Sequence, residues 1–244
     1  MTHITLTLCT NGQVITRIHL QKEYNELRTS VLALKFKDGI MMAADTLASY
    51  GSLARFKSIQ RLQPVGSSTV IGASGDMSDF QYIQTLLDEL TVEEFTAGDH
   101  HELGPAEIHE YLSRVMYARR SKMNPLWNSI LVGGVKDGKS FLAYVDLLGT
   151  TYSASTLATG YGAYIALPLL RKAVEGREHE LTEEEARKIM EESMKVLFYR
   201  DARSLNKFQI ATVKESGVTI SDPIILETAW GFAEGIRGYG AQTQ

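Results

Sequence analysis

Cysteine is almost missing from this chain: Cys9 is the only one in 244 residues. One thiol cannot close an intrachain disulfide or build a cysteine zinc cluster, and such usage fits a reducing compartment. A basic excess is missing too. Lys and Arg number 25 against 29 Asp and Glu, a formal net charge of −4, which removes the general electrostatic case for nucleic acid. No apolar run approaches the roughly 18 residues of a membrane-span candidate, so no membrane partner is expected. The N-terminus has no charged stretch leading into an apolar one, so no secretory signal is expected. There is no P-loop, no Gly-x-Ser-x-Gly elbow and no internal repeat. His100 and His101 lie in a polar stretch without a third ligand at a suggestive spacing. No metal or other cofactor is expected.

What is present centres on Thr29–Asp45, TSVLALKFKDGIMMAAD. It reads as two strands, Ser30–Phe36 and Ile40–Ala44, joined by Lys37-Asp38-Gly39, with Gly39 expected to supply a positive φ. The second strand is apolar throughout, so both of its faces should be covered. It ends on Asp45, which either bonds its own turn or brings a carboxylate to the edge of a buried sheet.

Downstream, Thr46–Leu62 reads as a loop with a short strand near Ile59–Leu62, and Thr69–Ala73 as another strand. Asp76 or Ser78 can cap a helix carrying Phe80, Ile83, Leu86, Leu87 and Leu90. Glu93–Gly104 is polar and expected to be loop. Pro105 opens a second helix that must end before Pro125. Trp127–Val135 and Phe141–Asp146 form a hairpin around Lys136-Asp137-Gly138, and Thr151–Ala158 adds a strand. Tyr161–Val174 is a helix that Pro168 should kink. Thr182 and Glu185 make a capping box for the next helix. Phe208–Val213 and Val218–Ile220 make a last hairpin. Segregated strands and helices argue for an α+β fold built from antiparallel hairpins, without a dividing linker. Gly160-Tyr161-Gly162 is either a phosphate-holding turn or a close-packed one. Arg114, Arg119, Arg120 and Lys122 are either a solvated helix face or a docking surface for carboxylates.

The segments SVLALKFKDGIMMAAD, GSLARF, IGASGD, RRSKMNPLWN, LATGYG and LFYRDARS together resemble the beta subunits of the proteasome core particle. The likeness runs from about Thr29 to the C-terminus. It implies the N-terminal-nucleophile hydrolase fold, a four-layer αββα sandwich of two antiparallel sheets between helical layers. It implies a barrel of four seven-membered rings in cytoplasm and nucleus, with alpha and other beta subunits as partners and assembly chaperones possible. Residues 1–28 then form an N-terminal extension or leader, 29–221 the sandwich domain, and 222–244 a C-terminal arm.

Active members of that family attack with an N-terminal threonine whose free amine serves as base. The resemblance carries this position to Thr29, the partner Asp to Asp45, the oxyanion glycine to Gly75, the neighbouring serine to near Thr159, and the Asp-Ala-x-Ser segment to Asp201 and Ser204. Two positions depart. Arg61 stands in the lysine position, and a guanidinium cannot relay a proton. Arg28 stands where self-cleaving relatives carry glycine, and without the cut Thr29 has an amide in place of an amine. These positions are therefore expected to be vestigial, in a non-catalytic subunit that builds the beta rings and joins half-particles during intracellular protein degradation. The alternative is an active threonine endopeptidase processed before Thr29. In the C-terminal segment Trp230, Phe232, Ile236 and Tyr239 stand among glycines, either as apolar anchors on an arm or folded back on their own domain. The resemblance implies that this arm reaches beta subunits of the opposite ring.

Overall fold

The computed structural model describes residues 30–98 and 102–233, with the backbone of three short strands at 9–10, 13–14 and 26–27. The strands are Cys9–Thr10 (β1), Gln13–Val14 (β2), Glu26–Leu27 (β3), Val31–Phe36 (β4), Gly39–Asp45 (β5), Ala48–Tyr50 (β6), Leu53–Phe56 (β7), Leu62–Val65 (β8) and Thr69–Asp76 (β9). Helices Met77–Ala97 (α1) and Pro105–Ser121 (α2) follow, then Asn128–Lys136 (β10), Lys139–Val145 (β11), Thr151–Ser153 (β12) and Thr156–Ala158 (β13). Helices Gly162–Ile165 (α3), Leu167–Val174 (α4) and Glu183–Arg200 (α5) precede the final pair, Phe208–Lys214 (β14) and Gly217–Ile220 (β15).

Two antiparallel sheets result. One runs β12-β11-β10-β9-β3 with β8 also on β9, and the other runs β13-β4-β5-β14-β15. The period-2 geometry of strands sorts their side chains into layers. From β4, Val31 and Ala33 enter the apolar layer between the sheets with Ile40, Met42, Leu131, Leu142 and Val213. Leu32 and Leu34 point the other way, onto Leu170, Met190, Met194 and Leu197 of α4 and α5. On the far side α1 and α2 lay Phe80, Ile83, Leu112 and Met116 over Ile71, Ile130 and Val132. Helix, sheet, sheet, helix is the expected αββα order, and every residue of β5 is buried because both its faces are covered.

Between the sheets Gly72 leaves no room for a side chain: a methyl group would lie 2.8 Å from a Val31 methyl carbon. At the first turn Gly39 is not in the left-handed region. It is already in β5, and only a glycine fits there because a side chain would meet the Val213 carbonyl of the next strand. The second hairpin does use the expected chemistry, with Asp137 at φ 52° and Gly138 at φ 68°.

Four expectations are corrected by tertiary packing. Leu53–Phe56, taken as loop, is a strand paired with β6 in a separate hairpin. The short strand near Ile59–Leu62 lies later, at Leu62–Val65. Helix α1 continues through the polar residues to Ala97 and stops at Gly98 in the left-handed region. Thr151–Ala158 is not one strand: β12 pairs with β11 in one sheet and β13 with β4 in the other. Pro168 does break its helix, into α3 and α4. Within the stretch expected as an extension, Glu26–Leu27 pairs with Asp76 and Gly75 of β9.

Candidate functional site

The ends of β4, β5 and β9 converge on Arg61, which is 1 % exposed. An ion that deep must be surrounded by acceptors. Its Nε donates to the Asp45 carbonyl at 2.9 Å, and its Nη2 to the Ser30 carbonyl at 3.0 Å and to the Asp45 carboxylate. Nη1 reaches the Ala73 carbonyl at 3.4 Å. The guanidinium thus ties β4 and β5 of one sheet to β9 of the other. The other carboxylate oxygen of Asp45 accepts the Leu205 N–H at 3.1 Å. Asp45 is therefore a cross-sheet anchor and does not bond its own turn.

Burial pushes the Asp45 carboxyl up to about 6; the Arg61 charge and the Leu205 N–H pull it back only in part, and nearby Asp201 adds to the rise. Burial also lowers the Arg61 pKa, with Asp45 opposing. Both shifts say that desolvation outweighs the attraction, as is usual for buried pairs.

The other positions surround this junction in different roles. The Thr159 hydroxyl accepts the Val31 N–H at 2.9 Å, and its N–H returns to the Val31 carbonyl, so Thr159 extends the β13–β4 pairing. Ser204 does not meet the Asp201 carboxylate. Its hydroxyl donates to the backbone carbonyls of Asp201 (2.7 Å) and Leu197, closing the end of α5, while the Asp201 carboxylate accepts the Arg203 N–H. Gly75 has φ 108°, a conformation open to glycine, and a side chain there would collide with Trp127. The Gly160–Gly162 turn is a packing device. The Gly162 N–H donates to the Ser30 hydroxyl at 2.7 Å, and a side chain would lie 2.9 Å from Ser30 and Leu32 carbons. Thr29 and Arg28 lie outside the described residues, as do His100, His101, Ile236 and Tyr239.

Three participants escaped the sequence reading: Ser30, the Leu205 N–H, and Asn128, whose amide clamps the Ser74 and Asp76 carbonyls around Gly75. Ser30 and Leu205 act largely through backbone atoms, which residue types do not advertise.

Trp230 and Phe232 pack against their own domain. Trp230 stands edge-on to Tyr199 of α5 at 4.9 Å, and Phe232 lies 5.5 Å from the same ring. The Ala229 N–H donates to the Tyr199 hydroxyl, Asn206 brackets Leu226 through both amide atoms, and Ile224 bridges to Phe208.

A cleft of about 560 Å³ lies elsewhere, among Thr46, Ser58, Gln60, Gln63, Gln84, Gln209 and Asp222. Its Thr46 hydroxyl is tied to the Lys57 and Lys207 carbonyls, and no histidine or cysteine lines it. Its Ser58 hydroxyl accepts from Lys207 Nζ at 3.0 Å. Among the described residues no cluster of His, Cys, Asp and Glu could hold a metal ion, and no helix is long and apolar enough to cross a membrane.

Two antiparallel sheets between helical layers, with this junction where β4 begins, define an α+β sandwich of the N-terminal-nucleophile hydrolase type. The chain belongs to the proteasome subunit family, whose profile, described as "Proteasome subunit", matches residues 27–213. It is 53% identical to proteasome subunit beta type-4 of Xenopus laevis, over 86% of this chain and 87% of that protein. Identity to the probable proteasome subunit beta type-7 of Schizosaccharomyces pombe is 53%, over 88% of this chain and 83% of that protein. The Saccharomyces cerevisiae proteasome subunit beta type-7 is 50% identical, over 88% and 84%.

Proposed function

We propose that this chain is a non-catalytic structural subunit of the beta rings of the 20S core particle, acting in intracellular protein degradation in cytoplasm and nucleus. The observation that carries the reading is Arg61. A proton relay at this position needs a group that can give up its proton near neutrality, and a guanidinium does not. Arg61 is also fully engaged in holding Ser30, Asp45 and Ala73. The pairing of Glu26–Leu27 with Asp76 and Gly75 supports the same reading, since the chain's own backbone occupies that end of β9. Asp45, Gly75, Thr159, Asp201 and Ser204 are then a retained frame, and their chemistry is positional.

The test is direct. Thr29→Ala in the assembled particle should leave every peptidase activity unchanged, and N-terminal sequencing of the purified subunit should not find Thr29 first. Loss of one peptidase activity with assembly intact overturns the reading.

The partners in this reading are the alpha and beta subunits of a four-ring particle, with assembly chaperones in attendance, and residues 222–244 form an arm toward the opposite ring. Ile224 through Phe232 are fastened to α5 and β14. The reach of such an arm therefore starts beyond Ala233. Truncation before Thr228 should leave the domain folded and accumulate half-particles on native gels. Full particles at normal yield and thermal stability would show that the segment serves only its own domain.

A further inference from the structure

The end of α2 and the loop after it carry the strongest positive charge in this acidic chain. Between Tyr111 and Asp137 the sequence contains no Asp or Glu, while Arg114, Arg119, Arg120, Lys122 and Lys136 fall inside it. Two of these are occupied locally. Arg114 pairs with Glu110 one turn back, and Lys136 donates to the Glu102 carbonyl. The arginines at the helix end are held differently. The guanidinium of Arg119 lies over the Tyr82 ring at 5.4 Å, and that of Arg120 over the Tyr117 ring at 5.5 Å. Stacking of this kind fixes a guanidinium and leaves its edge able to receive a carboxylate.

The loop is built to match. Met123 adopts φ 54°, a left-handed conformation that costs a residue with a side chain. It is held there by its N–H to the Arg120 carbonyl, by the Asn124 N–H to the Arg119 carbonyl, and by Arg119 Nε to the Asn124 carbonyl. The result puts Met123 into solvent, 69 % exposed, with partly exposed Trp127 in the same loop. That conformation closes α2, because the Met123 and Asn124 N–H groups take the last free carbonyls of the helix, and it leaves the Met123 side chain outside. Asp79 brings one carboxylate to the loop, where it accepts the Trp127 N–H at 2.9 Å. Three cations, Arg119, Arg120 and Lys122, stand against it.

We propose that Tyr82, Tyr117, Arg119, Arg120, Met123 and Trp127 form a docking site for an acidic segment of a neighbouring proteasome subunit. Its carboxylates meet the two stacked guanidiniums, and an adjoining apolar side chain lies against Met123 and Trp127. Aromatic and arginine anchors that are ordered beforehand are the side chains that carry interface energy at low entropic cost. The charge imbalance selects an acidic partner over a neutral or basic one. The inference rests on membership of the assembled particle.

The experiment is photo-cross-linking in purified full particles containing the full-length chain with Met123→benzoylphenylalanine, followed by mass spectrometry. The expected result is one dominant cross-link, to a segment of another subunit that carries more Asp and Glu than Lys and Arg. Arg119→Glu with Arg120→Glu should lower its yield about tenfold in the particles that form. A chain present in the particle without a cross-link, a cross-link to a neutral or basic segment or to nucleic acid, or a yield unmoved by charge reversal overturns the docking site. A chain absent from the particle on native gels overturns the subunit reading as well, and so separates the two failures.

Discussion

The Arg61–Asp45 junction and the Tyr199–Trp230–Phe232 cluster both fasten remote stretches of chain to one another, by opposite physics. The junction is dry: Arg61 is 1 % and Asp45 4 % exposed, and the guanidinium joins three strands. The cluster is wet: Trp230 is 46 % and Phe232 56 % exposed, held mainly by ring contacts. A buried charge is unforgiving, because removing its partner leaves a group that has neither water nor counter-ion. A ring on the surface has solvent as its alternative. The same fold thus holds its centre by a contact that cannot be half made, and its C-terminal segment by one that can open.

Breaking the junction should give the largest effect. Arg61→Met keeps the bulk of the side-chain stem and removes the charge. Asp45 is then buried without its cation, and the Ser30, Asp45 and Ala73 carbonyls lose a donor. The expected loss is about 3–5 kcal/mol in urea unfolding of the full chain. Adding Asp45→Asn should recover part of it, since the orphaned charge is gone. A loss under about 1 kcal/mol for Arg61→Met would falsify the anchoring role.

The pH response sharpens the same contrast. Asp45 titrates at about 6 in the folded protein, above the ordinary carboxyl value of about 3.9. In that window the folded state binds the proton that the unfolded state has released, so this group's contribution to stability falls as pH rises from about 4 to 6. The fall amounts to roughly 3 kcal/mol at most, and Asp45→Asn should flatten it. Unfolding curves for wild type and variant that run parallel across the window would contradict this.

How much of this was legible beforehand follows the same division. Alternating and continuous apolar runs, the Thr182–Glu185 box and the Asp137-Gly138 turn marked the hairpins and helices, because local chemistry decides them. The β6–β7 hairpin and the split of Thr151–Ala158 between two sheets depend on what lies across the fold, and nothing local distinguishes them. Arg61 was flagged by its departure from a family pattern. The acceptors that surround it are carbonyls at Ser30, Asp45 and Ala73, invisible as residue types. Gly39 was assigned to a turn conformation, whereas the neighbouring strand at Val213 demands it. The aromatic residues fit an outward arm or a segment folded back on its own domain, and Tyr199 offers Trp230 and Phe232 a surface for the second.

The smallest effect belongs to that surface. Trp230→Ala removes an edge-on contact with Tyr199, another with Phe198 at 5.9 Å and the stacking on Phe232. Contacts of this type contribute about 0.5–1.5 kcal/mol each when buried, and the exposure here places the total near 1 kcal/mol. Tyr199→Phe keeps the ring and loses only the hydrogen bond from Ala229, so its effect should be smaller still. Global unfolding is a poor reporter, because the segment can open while the sandwich stays closed. Limited proteolysis of the full chain reads the opening directly. About 1 kcal/mol corresponds to a roughly fivefold faster cleavage after Ile224 in Trp230→Ala, with the urea midpoint nearly unchanged. If cleavage is unchanged, the rings do not hold the segment. If the urea midpoint instead drops as far as it does for Arg61→Met, the segment is part of the core, and the distinction between a dry junction and a surface latch is wrong.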